Sequence, residues 1–152
     1  MPRKNTLSKW PERQGKPMQF IDANVFLRFL TRDDPVKAER VKVLLERAQR
    51  GEVTLVTSES VITELVFVLS SPKLYRLNRE EIRTVLSPIV GLKGLKLPSR
   101  KAIVRALDLF AATSMDFVDV LAVAQMEANG ISEIYSYDEH FDSLRGITRL
   151  EP

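Results

Sequence analysis

Met18-Gln19-Phe20-Ile21-Asp22-Ala23-Asn24-Val25-Phe26-Leu27 drops a carboxylate onto the end of a short strand, just before a residue suited to start a helix. Three more acids recur in matching settings. Glu64 lies inside Val61-Ile62-Thr63-Glu64-Leu65-Val66-Phe67-Val68, Asp119 inside Phe117-Val118-Asp119-Val120-Leu121-Ala122-Val123, and Asp138 follows Ile134-Tyr135-Ser136-Tyr137. An acid in an apolar segment is costly unless it is paired or coordinates a cation. No basic residue is written into the same apolar stretches, so the four acids point to one shared cation site.

The chain has 152 residues, enough for one domain with a substantial core. It has no cysteine, which excludes disulfides, thiolate metal sites and thiol nucleophiles and favours a cytoplasmic protein. Apolar runs reach only about five residues, far short of the ~20 that a membrane span needs, so no membrane association is expected. Charge is unevenly spread. Residues 1–17 carry five basic residues (Arg3, Lys4, Lys9, Arg13, Lys16) against Glu12, whereas residues 18–152 hold 18 basic and 19 acidic residues. The basic excess therefore belongs to the leader. Pro2, Pro11, Gly15 and Pro17 break periodicity there, so residues 1–17 are expected to be a flexible arm and residues 18–152 the folded domain, with Met18 a candidate start.

Strand and helix alternate along the rest. A strand at Gln19–Asp22 leads to a helix capped by Asn24, and Asp34-Pro35 opens a second helix with Val36, Val41, Leu44, Leu45 and Ala48 on one face. A strand at Val53–Val56 precedes a helix from Ser58 or Ser60 through Leu69. Asn78 caps a helix to about Val90, with Pro88 a candidate early stop. Gly94–Leu97 is a short strand, followed by helices over Ser99–Thr113 and Asp116–Asn129. Glu133–Tyr137 is a strand, Glu139–Leu144 a helical turn and Ile147–Leu150 a last strand. This order predicts an α/β fold, a parallel sheet with helices on both faces. Ligands of such sheets bind beyond the carboxyl ends of the strands, where Asp22 and Asp138 fall. With the first and fourth strands adjacent, all four acids would meet at one edge.

Each acid also has a structural alternative. Asp22 suits an Asx-turn before the Asn24 cap, Asp116 and Asp119 suit a helix N-terminus, and Asp138 suits the N-cap of the Glu139 turn. Glu64 has the weakest alternative, since no Lys or Arg lies three or four residues away. Clustered carboxylates offer hard oxygens to Mg²⁺ or Mn²⁺, ions that promote in-line displacement at phosphorus. His140, the only histidine, reads as a surface residue, and the six glycines form no phosphate loop.

These residues resemble the PIN domain family, and within it the VapC-type toxin ribonucleases. The resemblance runs from Phe20 to Pro152 through Ile21-Asp22-Ala23-Asn24-Val25-Phe26, Ser60-Val61-Ile62-Thr63-Glu64-Leu65, Asp116-Phe117-Val118-Asp119-Val120-Leu121-Ala122 and Tyr135-Ser136-Tyr137-Asp138-Glu139-His140-Phe141-Asp142, closing on Gly146–Pro152. It assigns the family's four acids to Asp22, Glu64, Asp119 and Asp138. Asn24 and Ser136 match its supporting polar positions, and Asp116 is a second candidate beside Asp119. The implied fold is a three-layer α/β/α sandwich with strand order 3-2-1-4-5. The implied function is a Mg²⁺- or Mn²⁺-dependent endoribonuclease acting on RNA, a homodimeric toxin held by a cognate antitoxin. Two rivals remain: a phosphohydrolase of the haloacid dehalogenase type, which wants an aspartate where Asn24 stands, and a non-catalytic PIN-like scaffold.

Overall fold

A computed structural model describes residues 17–152; apart from Pro17, the expected leader lies outside the described residues. The chain divides into two compact units, Met1–Arg100 and Lys101–Pro152. In the first, β1 (Met18–Phe20), α1 (Ala23–Thr31), α2 (Pro35–Gln49), β2 (Thr54–Val56), α3 (Glu59–Ser70), α4 (Arg79–Val90) and β3 (Leu95–Lys96) follow in order. In the second, α5 (Arg100–Ala112) leads to α6 (Phe117–Ala128), β4 (Glu133–Tyr135), a 3₁₀ turn (Glu139–Ser143) and β5 (Thr148–Leu150).

Every strand pair is parallel, as the alternation of strand and helix requires. In the first unit β2 lies between β1 and β3, with Phe20 opposite Val56 and Leu55 opposite Leu95. In the second, β4 pairs with β5, Tyr135 opposite Leu150. The strands are shorter than their apolar letters suggested, but the ladder reaches past β1: Ile21 N–H donates to Val56 O at 2.9 Å. Thr57, fully buried, donates its hydroxyl to Ile21 O at 3.0 Å. Both backbone groups of Ile21 are thereby pinned to β2, which fixes where the chain leaves the sheet at Asp22.

Helix starts follow local chemistry closely. Asp34, Ser58 and Asn78 each accept a backbone N–H with their side chains, and Asn78 and Glu81 form a reciprocal capping box. Three expectations change. Asp22, not Asn24, caps α1, accepting Val25 N–H at 3.1 Å, because it is the residue with extended backbone at the turn. Pro88 does not stop α4, which runs on to Val90; within the last turn Pro removes few helical bonds. Val36 is also 63% exposed, whereas Ala38, Val41, Leu45 and Ala48 form the buried stripe of α2.

Phe26, Leu55, Ile62, Leu65, Leu69, Ile82, Leu86 and Leu95 are the large buried side chains of the first unit. In the second, Ile103, Leu107 and Val120 are buried with Phe110 and Phe117, whose rings meet edge to face at 5.9 Å.

Candidate active site

Asp22 leaves β1 as the N-cap of α1 and stands exposed. Its Oδ1 takes the Val25 N–H, so Oδ2 stays available to a ligand. Asn24, one residue into α1, is exposed beside it. Glu64 is exposed as well, and this corrects the premise that its apolar neighbours surround it. Val61, Ile62, Leu65, Val66 and Leu69 recur at helical spacing on the buried face of α3, while Glu64 and Phe67 turn the other way. The apolar letters around an acid in a helix thus say little about its own surroundings. Glu64 has no ion pair or hydrogen bond among the described residues, in keeping with the absence of a basic residue one turn away. The α1 helix packs on α3, so the elements carrying Asp22 and Glu64 are neighbours.

In the second unit the acids act on one another. Asp116 occupies the N-cap position of α6 yet makes no side-chain capping bond, which leaves its carboxylate uncommitted. Asp119 follows in the first turn, half-buried. Burial raises its carboxyl above the usual range, repulsion from Asp138 and then Asp116 raises it further, and His140 partly offsets the effect. Asp138 caps the 3₁₀ turn, its Oδ1 accepting His140 N–H at 2.9 Å. Its own N–H donates to Ser136 Oγ at 3.0 Å, which gives the expected supporting hydroxyl a defined task. Capping and ligation are therefore compatible roles for both aspartates.

Two residues were missed as contributors. His140 is on the surface, as expected, but its Nδ1 lies 3.0 Å from Asp138 Oδ1; adjacency in sequence was the available signal. Arg149 donates Nη1 to Ser136 O at 3.0 Å and pairs with Asp142 and Glu151, which hold its guanidinium well above its ordinary pKa. Nothing local in the sequence marks that contact.

Among the described residues, no three carboxylate or imidazole groups stand close enough to enclose a metal ion with the side chains as placed. Asp119 nonetheless feels the charge of Asp138 and Asp116, a repulsion of hard oxygens that a divalent cation would relieve. That donor chemistry fits Mg²⁺ or Mn²⁺.

The PIN domain family model matches residues 20–147. The chain is 30% identical over 136 residues to a protein named VapC ribonuclease from Aquifex aeolicus, covering 89% of this chain and 97% of that relative. It is also 30% identical over 135 residues to Ribonuclease VapC13 of Mycobacterium tuberculosis, covering 88% of this chain and 99% of the relative. A VapC ribonuclease of Mycobacterium bovis matches to the same extent. The chain belongs to the PIN domain family.

Proposed function

We propose, from that membership, that this protein is a metal-dependent endoribonuclease, the toxin of a toxin–antitoxin pair. The observation that carries the reading is Asp119, a half-buried carboxylate repelled by Asp138 and Asp116, with His140 opposing the effect. Such a set holds a divalent cation more readily than it serves as a scaffold. The dehalogenase alternative keeps no support, since Asn24 stands where its second aspartate belongs and the family match is to the PIN domain.

In this reading residues 18–152 form one α/β/α nuclease domain with strand order 3-2-1-4-5. The pairings β3-β2, β2-β1 and β4-β5 within the units agree with that order. That order would gather Asp22, Glu64, Asp119 and Asp138 around Mg²⁺ or Mn²⁺. The cation, when bound, supplies Lewis-acid stabilisation of charge at the reacting phosphate. Asp119 and Asp138 orient the site from the second unit, with Ser136 fixing the Asp138 peptide. Asp22 contributes Oδ2 and Glu64 a carboxylate with no ion pair or hydrogen bond among the described residues, and Asn24 and Asp116 are the supporting polar residues. Our reading further includes a cognate antitoxin, a homodimer and a cytoplasmic site of action, where RNA and antitoxin meet. Among the described residues no helix is long and apolar enough to cross a membrane.

The test combines cleavage with metal-induced stabilisation. Wild-type protein should cut single-stranded RNA internally with Mg²⁺ or Mn²⁺ and lose the activity in a chelator. Mn²⁺ should also raise its melting temperature, since a ligand bound only to the native state stabilises it. Glu64→Gln should keep the fold but lose most of that rise, whereas Glu46→Gln on α2 should keep it. Equal metal shifts in the two variants would remove Glu64 from the site, and chelator-resistant cleavage would overturn the metal-dependent reading.

A further inference from the structure

A groove of about 330 Å³ runs between α1 and α2 in the first unit, with Asp22 and Asn24 at its α1 end. Val25 and Val41 contribute its apolar surface, and Arg28, Lys37 and Arg40 its cations. We propose that this groove carries the RNA strand next to the scissile phosphate, with Arg28, Lys37 and Arg40 contacting backbone phosphates. The proposal rests on the ribonuclease reading and adds to it the path of the substrate.

Three observations support an anionic strand as the occupant. First, the cations come from two different helices and line one groove, an arrangement that lone surface charges do not need. Arg28 Nη1 sits 3.0 Å from Asp33, and Lys37 Nζ sits 3.6 Å from Asp34. Both acids lie on the short connection between α1 and α2, where they hold the two side chains in place. These pairs are exposed and therefore weak, so a phosphate can compete for the cations. Second, Arg40 has no ion pair among the described residues and presents an uncompensated guanidinium, which suits phosphate geometry. Third, Asp22 and a polyanionic substrate repel each other, and cations along the approach offset that repulsion.

The groove also limits how the strand is read. Its apolar side chains are two valines, beside the aliphatic stems of the basic residues, and no aromatic side chain is among the lining residues to stack a base. Contacts here go to the backbone, which position a strand without reading its sequence. Cleavage preference must then be set elsewhere, and the groove should act alike on all sequences.

Fluorescence anisotropy with labelled single-stranded RNA in chelating buffer tests this, because binding is read without cleavage. Full-length wild type, Lys37→Gln, Arg40→Gln and the double variant are titrated across a salt series. Each substitution should weaken binding roughly 3–10-fold and lower the salt slope by about 0.7, as expected for one lost phosphate contact on a single strand. Two unrelated RNA sequences should lose affinity equally. Lys93→Gln, an exposed cation away from the groove, should match wild type, and all variants should melt like wild type. Metal-dependent cleavage by wild type, with unchanged affinity and slope in the double variant, would overturn the groove proposal alone. RNA binding that keeps the variant-sensitive slope but never leads to cleavage would support the groove and overturn the ribonuclease reading. Absence of RNA binding by wild type would overturn both.

Discussion

Arg149 on β5 donates its Nη1 to the backbone carbonyl of Ser136 at 3.0 Å, and Ser136 Oγ in turn accepts the N–H of Asp138 at 3.0 Å. The last strand thereby holds the loop from which a candidate ligand hangs. Asp142 accepts from Nε and Nη2, Glu151 shares Nη1 with Ser136, and the Arg149 side chain is only 14% exposed.

Arg149→Met should therefore loosen the Asp138 loop. Loss of its charge-assisted bonds should lower the melting temperature measurably. A positioning role predicts that kcat falls while KM for RNA holds, with partial rescue by Arg149→Lys. Unchanged kcat in the folded variant would reduce Arg149 to a purely structural contact.

Asp22 separates capping from chemistry. Asn caps a helix as well as Asp, so Asp22→Asn should melt within a degree or two of wild type, yet cleavage should fall by roughly 100-fold or more. Asp22→Ala should lose the cap as well, at about 1 kcal/mol. Thermal melts and RNA cleavage on the pair check both parts, and full activity in Asp22→Asn would remove it from the site.

Asp119 predicts a pH dependence with a definite sign. Its folded pKa is raised above the ordinary value of 3.8 by burial and by Asp138 and Asp116. Its contribution to stability is thus fully present below that value and is lost as pH rises through the folded pKa. In chelating buffer Asp119→Asn should melt above wild type at pH 7, and the advantage should vanish as pH falls toward 4. Cleavage should be lost throughout. An advantage independent of pH would mean that charge repulsion is not its cause.

Gly94 supports the sheet in a way its neighbours do not reveal. Its φ of +89° is left-handed, and a Cβ there would lie 2.1 Å from Ala48 O, backbone of the buried end of α2. Gly94 O also accepts Leu55 N–H at 2.8 Å. Gly94→Ala should cost about 3 kcal/mol or more, through strain and clash together. Denaturant melts would register this as a lower midpoint with little change in slope; a shift no larger than that of Gly51→Ala, where space is open, would contradict it.

Much of this protein is written in short-range chemistry. Asp34, Ser58 and Asn78 start their helices where they stand in the sequence, because a cap needs only an N–H three residues ahead. Parallel pairing follows from alternating strand and helix, and the order of the acids along the chain carries the family resemblance. Tertiary structure decided what depends on distant residues. Thr57 pins Ile21 from 36 residues away, Gly94 is required by Ala48, and Arg149 reaches Ser136 across the β4–β5 pair. It also decided exposure: Glu64 sits among apolar letters yet faces outward, because the helical period and not the neighbouring residue selects the buried face. Local hydrogen bonds and periodicity are legible within a few residues, whereas a contact between distant segments exists only once the chain has folded around it.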